Sequence, residues 1–170
     1  LGLSVHAWIN PLRIGYASDL NVYSNEYDVK KFYLGNYNGV ERSDYVGMSS
    51  DNLYWLNIGY ESVRQHIVSS VLEIVNKYDV DAIVMDDYFY PAGATTAFDE
   101  QCYSLYEGDM GLGDWRRQNT NYLVAALYKH IKLAKSDVLF GISPAGNISN
   151  YETSYNYTTM YADVRKWCQE

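Results

Sequence analysis

The segment Val80-Asp-Ala-Ile-Val-Met-Asp-Asp-Tyr-Phe-Tyr-Pro91 passes from an apolar run into two carboxylates, three aromatic rings and a proline. It follows a helical pattern, so Ala82 to Met85 read as a short buried strand of a parallel sheet covered on both faces. Ionised carboxylates are costly to bury unless paired, which places Asp86 and Asp87 where the strand emerges into a cleft. In an α/β barrel that place is the C-terminal face, where active sites lie. A plainer account has one aspartate capping a loop and the other binding backbone amides. Two adjacent acids crowded by aromatics favour function.

On the N-terminal side, Val63, Ile67, Val71, Ile74, Val75 and Tyr78 recur at three and four residues, a single apolar stripe on a helix from Glu61 to Tyr78. Leu3 to Ile9 suit a strand that stops at Pro11, because proline cannot donate to a ladder. Between them lies a polar connection with a short helix near Val29 to Leu34. Tyr45 to Met48 and Leu53 to Leu56 flank a Ser-Ser-Asp-Asn turn and read as a hairpin. On the C-terminal side, Pro91 to Gly113 is a long irregular stretch, of the kind that is usually functional or disordered. Asp114 then suits a helix N-cap, and Trp115 to Ala134 follow with a stripe of Trp115, Tyr122, Leu123, Ala126, Leu127, Ile131 and Ala134. Val138 to Ile142 form a third strand, Asn147 to Tyr157 a polar loop, and a last helix capped by Thr158 or Thr159 runs to about Gln169.

Alternating strands and helices predict a parallel sheet with right-handed crossovers. Pro11, Pro91 and Pro144 each follow a strand and therefore share one rim. Three strands cannot close a barrel of eight. The chain starts inside a strand pattern and stops after a helical one, so it reads as a segment of a longer protein. Its open sheet edges are expected to pair with the rest of a barrel or with another copy.

The 170 residues carry a net charge of −8, which argues against a phosphate-binding, nucleic-acid partner. Nineteen tyrosines bring the aromatic content to 16%, and such rings, apolar on the face and polar at the edge, suit stacking on sugars. No apolar run approaches the ~20 residues of a membrane span. Cys102 and Cys168 are too few and too far apart for zinc, and are consistent with either one disulfide or two free thiols. His6, His66 and His130 lack metal-ligand spacing, and no HxH, HxxxH or HExxH motif supports the two aspartates as ligands. No cofactor or metal is expected.

His6-Ala-Trp-Ile-Asn-Pro11, Trp55-Leu-Asn57, Tyr78 to Pro91, Asp114-Trp-Arg-Arg117 with Asn119, and Phe140-Gly-Ile-Ser-Pro144 occur in that order. Together they resemble the glycosyl hydrolase-like 10 family, bacterial proteins that are often secreted or lipoproteins. Some members cleave peptidoglycan glycan strands. The resemblance implies a (β/α)8 TIM barrel of which residues 1–170 are one segment, about three βα units corresponding to strands three to five. It implies a glycoside hydrolase outside the cell or in the bacterial envelope, acting on an oligo- or polysaccharide, this segment alone being inactive. A non-catalytic glycan-binding barrel is the rival reading, and a metal-dependent hydrolase a more distant one. The chain departs from the family at Ile58 and Glu61-Ser62, and at Val84, where the family commonly places a histidine facing the barrel interior.

Glycosidases generally use two carboxyl groups. Asp86 shares strand parity with Val84 and is assigned as the leading catalytic carboxylate, nucleophile or base. Asp87 is the second catalytic candidate, turned sideways toward loop amides or Arg116. Asp99, Glu107 and Asp109 on the long loop are candidates for the partner acid, as is a strand beyond Glu170. His6, Trp8 and Asn10 climb one face toward the rim, with Asn10 the sugar-hydroxyl partner and His6 the deepest. Tyr88 and Tyr90 are candidate stacking platforms. Asn57, Arg116, Arg117 and Ser143 complete the expected substrate contacts, with one arginine alternatively pairing with Asp86 or Asp87.

Overall fold

The computed structural model describes residues 2–146 and 151–169. The elements run β1 (His6–Ile9), β2 (Arg13–Tyr16), α1 (Ala17–Val22), α2 (Asp28–Tyr33), β3 (Asn36–Tyr37), β4 (Val40–Glu41), β5 (Val46–Met48) and β6 (Leu53–Leu56). Then follow α3 (Glu61–Lys77), β7 (Ala82–Asp86), α4 (Glu100–Ser104), α5 (Leu112–Ala134), β8 (Leu139–Ser143), α6 (Tyr155–Thr158) and α7 (Val164–Trp167).

The main sheet has the order β1-β7-β8, all parallel. His6 pairs with Ala82 and Trp8 with Val84 on one side of β7, while Val84 pairs with Gly141 and Asp86 with Ser143 on the other. Because the strands are parallel, Pro11, Pro91 and Pro144 do share the C-terminal rim. Ile83 and Met85 are fully buried, and Ala7, Ile9, Phe140 and Ile142 pack on the same core. α3 supplies Val63, Ile67, Val71 and Val75 to that core, one residue per turn. Each such side chain contributes about 1.5–3 kcal/mol relative to leaving it in water. The helix ends where Tyr78 turns extended, its N–H closing on Ile74 O.

Among the described residues, the flanking strands leave the opposite face largely uncovered. Trp8 is 62% and Leu139 58% exposed, and Val84 between their strands is half-buried. β7 itself is buried along its length apart from half-buried Val84, but among the described residues helices pack on one face of the sheet only, so the expected cover on both faces is found in part. The long connection after β1 is also more ordered than its composition suggested. β2, β6 and β5 form an antiparallel sheet in that order, with the predicted β5–β6 hairpin turning through Ser49–Asn52. β3 and β4 pair through Asn38 and Gly39, both left-handed at φ 52° and 78°, as a two-residue hairpin turn requires.

Three helix readings need correction. α5 begins at Leu112 with Gly111 at the N-cap, and Asp114 lies inside the first turn, paired with Arg117. Its N-terminal half buries polar Arg116, Asn119 and Thr120, while Tyr122 and Ala134 are exposed. Propensity and apolar spacing carry no sign of a buried arginine, since its partner lies on another element. The last helix is two short ones, α6 and α7, with Tyr161 at φ 52° between them. Of the polar loop expected over Asn147 to Tyr157, residues 147–150 lie outside the described residues, and the rest is largely helical turns.

Candidate functional site

Asp86 closes β7 at the C-terminal rim. Strand parity puts it on the uncovered face with Val84, above the row Trp8–Val84–Gly141 and in register with Ser143. It is 8% exposed, and Asn10 Nδ2 donates to its Oδ2 at 3.1 Å. Asn10 is held in turn by the backbone N–H of Arg13, which donates to Asn10 Oδ1 at 3.3 Å. Burial pushes the Asp86 carboxyl above the ordinary carboxylate range, the positive charge of Arg13 pulls against that, and neighbouring Asp87 adds to the rise. A carboxyl group at a strand end, poorly solvated and facing an open surface, can exchange a proton or meet a developing cation.

Asp87 turns away from this face. Its Oδ2 accepts the amide of Ala145 at 3.0 Å, fastening the loop after β8 to the end of β7. A charged acceptor on a partly buried amide is a strong anchor.

Arg13 is the site residue with no motif of its own in the sequence. It stands directly opposite Trp55 across β2 and β6. Its guanidinium carbon lies 4.7 Å from the Tyr88 ring centroid and 5.9 Å from that of Trp55. Trp55 and Tyr88 meet edge to face at 6.3 Å. The available clue was position: Arg13 follows the rim proline by two residues, on the strand that leaves the site.

The remaining candidates separate into those at this face and those inside the protein. Asn10 and Ser143 flank Asp86 and Tyr88 follows it in the chain, Trp8 lies one row below beside Val84, and His6 lies at the foot of the same face, exposed. Tyr90 is fully buried against Phe98 and Tyr161, so it offers no ring to a ligand. Asn57 is fully buried as well. Its Nδ2 donates to Asp44 O at 2.8 Å and its Oδ1 accepts from Gly59 N at 2.9 Å, which spends it on the turn before α3.

Arg116 pairs with neither Asp86 nor Asp87. It grips Asp99 through Nε at 2.8 Å and Nη2 at 2.6 Å, both residues being almost wholly out of water. Burial works against both charges; for Arg116 the hydrogen bonds and charge of Asp99 outweigh it and raise its pKa. Arg117 packs its guanidinium over Tyr157 at 4.0 Å and bonds Asp114 at 2.6 Å. Asp99 is thereby corrected from a mobile partner acid to half of an internal ion pair, while Glu107 and Asp109 are exposed. The stretch after Pro91 contains α4, and the amide of Cys102 binds buried Asp44 at 2.9 Å. Both cysteines are free thiols. Among the described residues, no three His, Cys, Asp or Glu side chains come together as metal ligands would.

A family model described as Glycosyl hydrolase-like 10 matches residues 1–170. Glycosyl hydrolase YngK of Bacillus subtilis (strain 168) is 38% identical over 183 residues, covering 99% of this chain and 34% of its own length. Glycosyl hydrolase DigH of Escherichia coli (strain K12) is 32% identical over 186 residues, covering 99% of this chain and 40% of its own. The chain thus spans well under half the length of these relatives.

Proposed function

The chain belongs to the glycosyl hydrolase-like 10 family, and from that premise we propose that it is part of a (β/α)8 glycoside hydrolase that cleaves a bacterial or environmental polysaccharide. Peptidoglycan glycan strands are the leading candidate substrate, and the bacterial envelope or exterior the proposed location. The observation that carries the reading is Asp86: a carboxyl group at the C-terminal end of a parallel strand, on the uncovered face, bonded by Asn10 and shifted upward by burial.

In this reading Asp86 is the nucleophile or the base. Asn10 orients its Oδ2, leaving Oδ1 for the anomeric carbon or for a water molecule. Tyr88 offers an apolar ring to a sugar face, and Ser143 a hydroxyl in register with the acid, while Trp8 belongs to the row below the rim that the rest of the barrel would cover. Asp87 keeps the loop after β8 in place and touches no substrate. The second carboxyl group that glycoside hydrolysis generally uses comes from outside Asp99, which is committed to Arg116.

The test is turnover of a labelled glycan by the intact protein and its Asp86→Asn variant, with binding measured separately. Losing a group that acts in the transition state costs several orders of magnitude in turnover and leaves affinity nearly unchanged. Equal turnover would remove Asp86 from the mechanism. A non-catalytic glycan-binding barrel is the second reading, favoured by Val84 standing beside Trp8 where the family commonly has a histidine. It predicts binding with no turnover in either protein.

A further inference from the structure

We propose that the cavity between the β3–β4 hairpin and the first turns of α3 is a second carbohydrate site, separate from the Asp86 face, that holds a neutral sugar unit of the polysaccharide without cleaving it. The proposal rests on the glycan reading above and adds an accessory site to it.

The cavity encloses about 500 Å3, a volume typical of small-ligand sites. All its walls come from residues 28–69, so this segment carries the whole of it. Glu61, Ser62, Gln65, His66 and Ser69 line it from α3, on the stripe opposite the buried Val63, Ile67, Val71 and Val75. A polar stripe of that kind ordinarily faces bulk water. Here the hairpin and the start of α2 stand against it, because Asn38 and Gly39 take left-handed angles and turn the chain back. Tyr37, Tyr45 and Tyr60 form the ring wall. Tyr37 stacks on Phe32 at 4.1 Å, and Tyr45 meets Phe32 at 5.2 Å and Tyr60 at 4.9 Å. Rings packed in this way are set before a ligand arrives, which lowers the cost of binding it.

The charges on the walls already have partners. Asp28 accepts from Lys31 at 2.8 Å and has His66 Nδ1 at 3.4 Å. Glu61 accepts from Gln65 Nε2 at 2.8 Å, and the Arg42 guanidinium lies 6.0 Å from the Tyr60 ring. An anionic ligand would meet two carboxylates, and a cationic one would meet the guanidinium. Burial holds the His66 imidazole below its ordinary value, so at neutral pH it is an uncharged partner. Among the described residues, the Ser62 and Ser69 hydroxyls, the Gln65 carbonyl and the second Glu61 oxygen make no bond within the protein, and Arg42 donates only to Glu41 O. Short donors and acceptors beside flat rings suit a pyranose, which carries hydroxyls at its edge and C–H groups on its faces.

The cavity shares no residue with the Asp86 face. Asp86 closes β7, whereas the cavity lies on α3, α2 and the hairpin, and Trp55 on the intervening β6 meets Tyr88 rather than the cavity. A polymer can occupy both places at once, and each contact then raises the effective concentration of the other. A short fragment gains nothing from the second place. The cavity should therefore matter for polymer and not for fragment.

The test uses the intact protein and two probes: insoluble peptidoglycan sacculi and a soluble tetrasaccharide released from them. Ser69→Trp fills the cavity from an exposed position, and Gln65→Ala removes an amide from its wall. Each should lower the ratio of kcat/KM on sacculi to kcat/KM on tetrasaccharide by on the order of 10-fold. Added to Asp86→Asn, each should weaken co-sedimentation with sacculi by a similar factor. A thermal melt followed by circular dichroism checks that the variants are folded.

An unchanged ratio and unchanged co-sedimentation in both variants overturn the site, and so does an equal loss on the two probes. Should Ser69→Trp fail to fold, Gln65→Ala decides by the same ratio. Weakened co-sedimentation in the variants, with no turnover by any of the proteins, sinks the hydrolase reading and supports this one. Turnover by wild type with both variants unchanged does the reverse. Failure of the wild type to co-sediment with sacculi overturns the accessory site.

Discussion

Replacing Arg116 with methionine should destabilise the fold without directly touching the glycan site. The side chain is 1% exposed and donates five hydrogen bonds: two to Asp99, one each to the carbonyls of Ala94 and Thr95, and one to the Tyr161 hydroxyl. Its guanidinium also lies 5.4 and 5.0 Å from the rings of Tyr90 and Tyr161. Methionine fills much of the volume but leaves a carboxylate with no exposed surface and no counter-charge. Breaking a buried pair in this way costs about 3–5 kcal/mol. That is a large share of the roughly 5–15 kcal/mol by which a domain is stable. Asp99→Leu should be comparably harmful. The double variant should recover much of the loss, because an apolar pair of similar volume removes both unpaired charges. Denaturant unfolding of the intact protein, followed by circular dichroism and extrapolated linearly, measures all three. A loss below about 1 kcal/mol in Arg116→Met, or strictly additive effects in the double variant, would refute the structural role. So would a loss of glycan affinity at unchanged stability.

Asp87→Asn should reduce stability by about 1–3 kcal/mol through its bond to the Ala145 amide, and should slow turnover far less than Asp86→Asn. The reverse order in a side-by-side assay would show that the two acids have exchanged roles. Asp86 itself should make the protein less stable as pH rises. Its folded pKa is raised, so the folded state holds the proton more tightly; the penalty begins above the ordinary carboxylate value near ~3.9 and is complete above the folded value. Asp86→Asn should therefore be the more stable protein at pH 7, with the difference gone below pH ~3, as paired unfolding curves would show. Iodoacetamide should label exposed Cys168 and spare Cys102, whose thiol is buried and pushed up to about 12; peptide mass mapping before and after unfolding distinguishes them.

The parallel strands and the two long helices were legible because each carries a period that its own burial enforces. α3 buries Val63, Ile67, Val71 and Val75 at helical spacing, and β7 buries Ile83 and Met85 on one face. What was not legible depends on partners distant in sequence. Arg116 reads as a rim arginine until Asp99, seventeen residues earlier, takes it inward. Tyr90 reads as a platform equal to Tyr88 because alternation predicts a shared face. The backbone leaves the strand after Asp86, however, and Tyr90 goes inside while Tyr88 stays 39% exposed. Arg13 was missed for a related reason: its meaning comes from Trp55 and Tyr88, and a single arginine in a polar stretch has none of its own. Asn10 and Asp86 were legible together because strand parity alone sets them on one face, and pairing of β1 with β7 brings them side by side.

The unequal treatment of the two faces of the main sheet links fold to chemistry. Strand alternation sends Ile83 and Met85 to the helices and Val84 and Asp86 to the other side, so an acid at the strand's end cannot share the aliphatic core. That other side begins apolar and uncovered, with Trp8, Val84 and Leu139, and becomes polar at the rim, with Asn10, Asp86 and Ser143. Large exposed rings and aliphatics on a sheet face favour covering, and in the proposed barrel the inward residues of the other strands would supply it. Closure would bury the lower rows and leave the rim row at the mouth. Asp86 would then be drier than it is here, and its upward shift would grow, while Asn10 and Arg13, anchored on β1 and β2, would remain beside it. The same pleat that makes the lower part of this face a core therefore delivers the carboxyl group, poorly solvated and oriented, to the one level where a glycan could reach it.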